Sequence, residues 1–122
     1  MIFADTHVLV WLLSGDSRLP QPAREALLAE EALALSAVTA WEYVDLQQRG
    51  RIPAEPSFEE LVAGLGVRVE AFPPDCWRIA RQLPPIHGDP LDRMLLAHTI
   101  AADAVLATGD AHMRRYPVKL LW

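Results

Sequence analysis

The sequence has few of the features that mark a disulfide-stabilised or membrane-spanning protein. Its 122 residues include a single cysteine, so neither an intrachain disulfide nor a multi-cysteine zinc site can form. We interpret Cys76 as a small buried hydrophobe. No run approaches the roughly 18 apolar residues of a membrane span, and Asp5 interrupts the N-terminal segment, which is therefore unlike a signal peptide. We expect a soluble, cytoplasmic protein with no membrane partner.

Basic charge is also scarce. Sixteen acidic residues outnumber eleven basic ones, and the net charge is −5. This balance argues against a protein that coats nucleic acid through a broad basic face. It does not exclude an enzyme that holds nucleic acid through metal ions, because carboxylates that bind a cation no longer repel phosphate.

Two groups of catalytic motifs are missing as well. The chain has six glycines and no glycine-rich phosphate loop, which argues against a nucleotide-binding enzyme. No serine or cysteine stands in a nucleophile motif, which argues against a hydrolase of that type.

What the sequence does contain is a regular alternation of short apolar runs and helical segments. A hydrophobic fraction of 52% and a charged fraction of 22% favour one globular domain over residues 1–122. The predicted strands are residues 2–4, 32–35, 67–71, 104–107 and 118–121. The predicted helices are residues 7–13, 22–31, 37–49, 58–65, 75–82 and 90–102. Strands that alternate with helices predict an α/β fold with a parallel sheet covered on both faces.

Acidic residues follow two of these strands directly. In parallel sheets of this kind the chemistry lies beyond the carboxyl ends of the strands. Asp5 comes after the first strand, and Asp110 follows the fourth in Leu-Ala-Thr-Gly-Asp. The alternative interpretation is that each carboxylate caps the helix or helical turn after it.

A third acid, Glu42, lies inside a predicted helix. Four residues to either side stand Val38 and Leu46, so Glu42 shares a helix face that is partly apolar. A buried carboxylate is costly unless it is paired or binds metal. The alternative is a salt bridge to an arginine.

A fourth acid, Asp92, stands at the start of a long predicted helix, in Asp89-Pro-Leu-Asp92-Arg93. Asp89 is a natural N-cap before a proline at the first helical position. Asp92 could complete a variant capping box, serve a metal, or do both. Arg93 could orient a carboxylate or contact phosphate; the alternative is an exposed ion pair.

These four acids, Asp5, Glu42, Asp92 and Asp110, are all placed to meet at one edge of the sheet. Clustered carboxylates raise one another's pKa, and a divalent cation removes that cost. An oxygen-only ligand set favours Mg²⁺ or Mn²⁺ over zinc. Such a site can activate water for attack on a phosphodiester.

Four segments together resemble the PIN-domain family, and in particular VapC-like toxins of type II toxin–antitoxin pairs. They are Ile-Phe-Ala-Asp5-Thr-His, Ser36-Ala-Val-Thr-Ala-Trp-Glu42, His87-Gly-Asp-Pro-Leu-Asp92-Arg-Met-Leu-Leu-Ala and Leu106-Ala-Thr-Gly-Asp110. They occur in the family's order across nearly the whole chain, and the third is the most specific.

The resemblance implies an α/β/α sandwich around a parallel sheet of about five strands. It implies an Mg²⁺- or Mn²⁺-dependent endoribonuclease, often a homodimer, that a cognate antitoxin holds inactive. Asp5, Glu42 and Asp92 would be the principal catalytic and metal-binding acids and Asp110 the fourth. Thr6 and Thr108 would be supporting polar groups. The alternative function is a PIN-fold binding module without catalysis; retention of all four acids speaks against it.

The remaining candidates have simpler interpretations. We expect His98 to be a core histidine, whereas His87 lies near the proposed site and could assist there. Packing is the expected role of Trp41, with base stacking as the alternative. A signalling receiver domain would also carry an acidic magnesium pocket. It would need paired acids after the first strand and a late lysine, but Asp5 is followed by Thr6 and Lys119 lies in the last strand.

Overall fold

The computed structural model describes residues 1–29 and 31–122, and its centre is a five-stranded parallel sheet. The strands are β1 (Ile2–Ala4), β2 (Leu33–Ser36), β3 (Val69–Glu70), β4 (Val105–Ala107) and β5 (Lys119–Leu120). Their order across the sheet is β3-β2-β1-β4-β5. The prediction of a parallel sheet of about five strands is confirmed.

Six helices and one short turn of 3-10 helix connect the strands. The helices are α1 (Thr6–Ser14), α2 (Gln21–Leu28), α3 (Ala37–Gln48), α4 (Phe58–Leu65), α5 (Trp77–Ala80) and α6 (Pro90–Ala101), and the 3-10 turn is Met113–Arg115. Within residues 1–29 and 31–122, none of the helices has the length and apolar character needed to cross a membrane.

Each face of the sheet carries its own hydrophobic core. In β1, Phe3 packs into one core and Ala4 into the other, because successive side chains of a strand point to opposite faces. In β2, Leu33 and Leu35 share the core of Ala4, whereas Ala34 joins Phe3. Helices α1, α2 and α4 contribute to the first core and α6 to the second. The result is the predicted three-layer α/β/α arrangement, and it explains why the strands read as unbroken apolar runs.

Capping side chains fix the beginnings of four helices. The side chains of Asp5, Ser36, Ser57 and Asp89 accept hydrogen bonds from backbone N–H groups in the first turns of α1, α3, α4 and α6. Each cap satisfies donors that have no partner inside the helix. Helices α3, α4 and α6 begin at the predicted residue, whereas α1 begins at Thr6, one residue before its predicted start.

Two predicted helices are shorter than expected. Helix α2 ends at Leu28, because the backbone of Ala29 is already extended. The sequence pattern predicted that this helix would continue to about position 31. Position 30, within that predicted helix, lies outside the described residues. Helix α5 covers only Trp77–Ala80 of the predicted 75–82.

The expected core roles of Cys76 and His98 are confirmed. The cysteine is buried in the core that contains Phe3. The His98 ring is buried against Phe3, and its Nδ1 lies 2.8 Å from the Ser36 hydroxyl.

Candidate metal centre

The four acids singled out above all line one pocket at the carboxyl edge of the sheet. Its volume is about 450 Å³, and Asp89 lines it as a fifth carboxylate. The pocket also contains two imidazoles, those of His7 and His87. No lysine or arginine lines it in the part of the chain that the structure describes. The pocket is therefore strongly anionic when its acids are ionised.

Asp5 reaches the pocket because it is both the last residue before α1 and the first after β1. Its Oδ1 accepts a hydrogen bond from the Val8 N–H at 3.0 Å, as an N-cap does. Its Oδ2 accepts one from the Thr108 hydroxyl, beyond the neighbouring strand β4. The carboxylate is 6% exposed. Capping the helix and lining the pocket are thus compatible roles for the same side chain.

Glu42 is held from the opposite side by a second threonine. The Thr6 hydroxyl, fully buried, donates to Glu42 Oε1 at 2.5 Å. This contact bridges α1 and α3 and fixes the direction of the glutamate. The alternative of a salt bridge is not realised, because no arginine or lysine of residues 1–29 and 31–122 pairs with Glu42.

The two acids at the start of α6 divide their tasks. Asp89 is the N-cap and accepts from the backbone N–H of Leu91 at 2.9 Å and of Asp92 at 3.3 Å. Since Asp89 performs the capping, the Asp92 carboxylate faces His87, with Oδ2 2.7 Å from Nε2. At the start of α6, the Asp89 carboxylate therefore caps the helix, and the Asp92 carboxylate is left to face the pocket.

The imidazole of His87 lies at the centre of the site, closer to the acids than the sequence indicated. Its Nε2 is also 3.8 Å from Asp110 Oδ2. Oxygen or nitrogen atoms of His87, Asp92 and Asp110 all lie within 4.8 Å of one another, which is the spacing of a metal site. The Nε2 atom is buried, and although Asp92 is near enough for a hydrogen bond, the direction is unsuitable. Two close ligand atoms that do not point at each other suit a shared cation.

Hydrogen bonds of both its backbone and its ring position His87, and the ring Nδ1 accepts from the Asp89 N–H at 3.5 Å. The His87 N–H donates to the Tyr116 hydroxyl at 2.8 Å, and Arg93 donates to the same hydroxyl at 3.2 Å. The long-range partner Tyr116 carries no local sequence signal, so this arrangement could not be read from spacing. An imidazole therefore stands among the carboxylates that were expected to bind the metal.

Asp110 closes the pocket from the loop after β4. Its Oδ1 accepts from the N–H groups of His112 at 2.8 Å and Met113 at 3.0 Å, so the carboxylate holds the segment that leads into the 3-10 turn, whose N-cap residue is His112. Its own N–H donates to the Thr108 hydroxyl at 3.0 Å. Thr108 therefore connects the loop of Asp110 to the carboxylate of Asp5.

Two residues are placed differently from the expectation. Among residues 1–29 and 31–122, Arg93 pairs with no carboxylate. Its guanidinium donates to the carbonyls of Ala80 and Pro84 and to the Tyr116 hydroxyl, and so ties α6 to α5 and the following loop. Trp41, expected to pack, is 69% exposed. Its helix turns Glu42 toward the pocket and Trp41 outward.

Burial disfavours the ionised form of three of the pocket's acids. It raises the pKa of Asp5 and of Glu42, against the lowering effect of the threonine hydroxyl that each accepts from. It also raises the pKa of Asp92 to about 6, and the negative charges of Asp89 and Glu42 add to that rise. Each acid would return toward its ordinary pKa if a positive charge occupied the pocket.

Comparison with known proteins agrees with this geometry. The family model described as "PIN domain" matches residues 2–119. Over 120 residues the chain is 28% identical to ribonuclease VapC22 from Mycobacterium tuberculosis, with 94% of this chain and 91% of that protein covered.

Two solved structures share the fold. One is a chain in the crystal structure of VapBC2 from Rickettsia felis bound to a DNA fragment from its promoter: TM-score 0.65, 18% identity, 98% of this chain and 96% of that chain covered. The other is a chain in DNA-bound VapBC from Salmonella typhimurium: TM-score 0.64, 16% identity, 98% and 94% covered.

Proposed function

Because the chain belongs to the PIN domain family, we propose that it is a metal-dependent endoribonuclease and the toxin of a toxin–antitoxin pair. The observation that carries the proposal is the convergence of Asp5, Glu42, Asp92 and Asp110 on one pocket at the carboxyl edge of the sheet. The similarity of this chain to ribonuclease VapC22 supports the same function. The proposal treats residues 1–122 as one nuclease domain.

The residues present fit a hard divalent cation, Mg²⁺ or Mn²⁺. Asp92 and Asp110 would hold it most directly, since their oxygens already lie within 4.8 Å of each other and of His87. Asp5 and Glu42 would complete the anionic pocket. The raised pKa values of three of these acids indicate charge that the fold alone does not compensate. The carboxylates of the pocket suit either Mg²⁺ or Mn²⁺.

The chemistry of the site divides between the cation and the protein. A bound divalent cation supplies Lewis-acid stabilisation of the phosphodiester and lowers the pKa of water. The protein's own contribution is orientation: the Thr6 hydroxyl fixes Glu42, and the Thr108 hydroxyl fixes Asp5. Groups held in this way need no rearrangement when negative charge develops on the phosphate.

The proposed partners are RNA as substrate, an antitoxin protein and a second copy of the chain. The likeness to chains of VapBC complexes supports the antitoxin. Exposed apolar side chains provide surface for protein partners: Leu13 on α1, and Trp41 and Val44, three residues apart on α3. A cytoplasmic location belongs to the proposal, because that is where an RNA substrate would be met.

The test is cleavage of a mixed RNA pool with Mg²⁺, with Mn²⁺ and with EDTA, by wild type and by Asp5→Asn. Asparagine caps a helix about as well as aspartate, so this variant removes the charge and keeps the start of α1. Asp103→Asn is the matched control, because Asp103 is an exposed aspartate outside the pocket that pairs with Lys119.

We expect cleavage that requires the cation and is lost in Asp5→Asn but kept in Asp103→Asn. A folded wild type that neither cuts RNA nor binds Mn²⁺ in a calorimeter would refute the nuclease and favour the binding module.

A further inference from the structure

One wall of the pocket is apolar, and the proposed metal chemistry does not use it. Three apolar side chains, those of Trp11, Leu46 and Met113, line the pocket beside the acids. Trp11 is on α1, about one and a half turns after the threonine that orients Glu42, and so the same helix supports part of the anionic site and part of this wall.

The indole of Trp11 is held in a fixed position. A Cβ added at Gly109 would lie 2.5 Å from its Cη2 and 2.8 Å from its Cζ3, so only glycine leaves room for the ring there. The Arg18 guanidinium lies 4.9 Å from the ring centroid, and Arg18 is itself held by Asp16 at 2.6 Å. Because Gly109 is the residue before Asp110, the indole is in contact with the loop that carries one of the acids.

We propose that Trp11 forms a nucleobase subsite, in which its indole packs against the unpaired base next to the phosphate that is cut. This inference rests on the proposed function and names what the substrate must present. A phosphodiester bound at the carboxylates through a cation has a nucleoside attached on each side, and the pocket has room for one of them beside the phosphate. The apolar wall is the surface there on which a flat, neutral base can be buried without meeting the carboxylates.

The occupant favoured by this arrangement is single-stranded RNA. In a duplex the bases are stacked and paired, and the 450 Å³ pocket has room for a nucleotide rather than for a helix. Stacking on an aromatic side chain tolerates every base, so the subsite selects an unpaired base rather than a particular sequence. A partner polypeptide would be the other occupant of such a wall, and the experiment below separates the two.

The test is binding of two fluorescein-labelled RNA octamers of equal charge, with Ca²⁺ in place of Mg²⁺ to prevent cleavage. One octamer is oligoadenylate, and the other has the same backbone with abasic ribose at its central positions. Stacking on one aromatic side chain contributes roughly 5- to 150-fold in affinity, so wild type should prefer oligoadenylate by a factor in that range.

Two variants at position 11 distinguish the effect of an aromatic ring from the effect of apolar volume alone. Trp11→Phe should keep most of the preference, whereas Trp11→Leu should lose it, although both keep a side chain that can pack on the neighbouring core. Trp77→Ala is the control. Trp77 is 53% exposed and has Arg78 and Arg81 over its ring at 4.6 and 4.9 Å, but it does not line the pocket.

Every outcome bears on the proposal. Equal binding of both octamers by wild type, or an undiminished preference in Trp11→Leu, overturns the base subsite and leaves the nuclease standing. If Trp11→Leu keeps its preference for oligoadenylate but binds the antitoxin more weakly than wild type does, the apolar wall is a binding site for the antitoxin and not for a base. Cation-independent or absent binding of both octamers overturns the nuclease together with the subsite.

Discussion

Neutralising Asp92 should stabilise the cation-free protein at neutral pH, although it removes a residue of the proposed site. Burial, and then the charges of Asp89 and Glu42, raise the pKa of this carboxyl from 3.8 to about 6. The folded protein therefore binds the Asp92 proton more tightly than the unfolded chain does. The resulting stability is fully present below about pH 3.8 and is lost as the pH rises through about 6.

The size of the effect follows from the same pKa. Each pH unit between the two values corresponds to about 1.4 kcal/mol, so full ionisation costs about 3 kcal/mol for this side chain, which is 17% exposed. Asparagine avoids that cost but loses a favourable charge in the first turn of α6, worth about 0.3–1 kcal/mol. The expected net stabilisation of Asp92→Asn is about 2 kcal/mol near pH 7.5, or roughly 8 °C in Tm for a domain of this size.

Urea and thermal denaturation in EDTA would measure the difference in unfolding free energy between Asp92→Asn and wild type. At about pH 5 this difference should be about half of its value at about pH 7.5. Adding Mn²⁺ should raise the Tm of wild type much more than that of Asp92→Asn. Glu59→Gln is the control, because Glu59 is an exposed carboxylate at the start of α4. The difference in stability between this variant and wild type should change neither with pH nor on addition of Mn²⁺. A less stable Asp92→Asn near pH 7.5, or a pH-independent difference, would refute the reasoning.

Three further substitutions test the contacts around the site. Thr6→Val removes the hydroxyl that donates to Glu42 and should slow RNA cleavage about tenfold, with Thr6→Ser close to wild type, as measured by initial rates. Gly109→Ala forces a Cβ against Trp11 and should cost about 1–3 kcal/mol of unfolding free energy in urea titrations. Tyr116→Phe leaves the N–H of the loop before α6 without its acceptor. It should cost about 1–2 kcal/mol and weaken Mn²⁺ binding, as measured by calorimetry.

The sheet and its acidic edge could be predicted because both depend on local signals. Short apolar runs with an acid directly behind them specify buried parallel strands, and Asp5 and Asp110 stand where two of those strands end. Helix starts were equally predictable, since Ser36, Ser57 and Asp89 cap the next turn of the same segment. Asp5 and Asp110 each bind backbone N–H groups through one carboxylate oxygen and also line the pocket. Both roles are possible because a carboxylate has two oxygens.

The partners of side chains could not be predicted, because they depend on which distant segment packs alongside. Arg93 donates to carbonyls of a different helix and loop, and His87 is positioned by Tyr116, 29 residues away. Periodicity places Glu42 on an apolar row, but not the threonine of another helix that faces it. Trp41 shows the same limit, since a large apolar residue in a helix can face a partner protein or solvent instead of the core.

The pairing of β1 with β4 makes the assembly of the pocket a late event in the life of the chain. Ile2 pairs with Val105, and the hydroxyl that orients Asp5 belongs to a residue 103 positions further on. While the polypeptide is being synthesised, the first acid has neither its neighbouring strand nor its threonine until residues 105–110 have left the ribosome. The pocket that Asp5 lines can therefore be completed only after most of the chain has been synthesised.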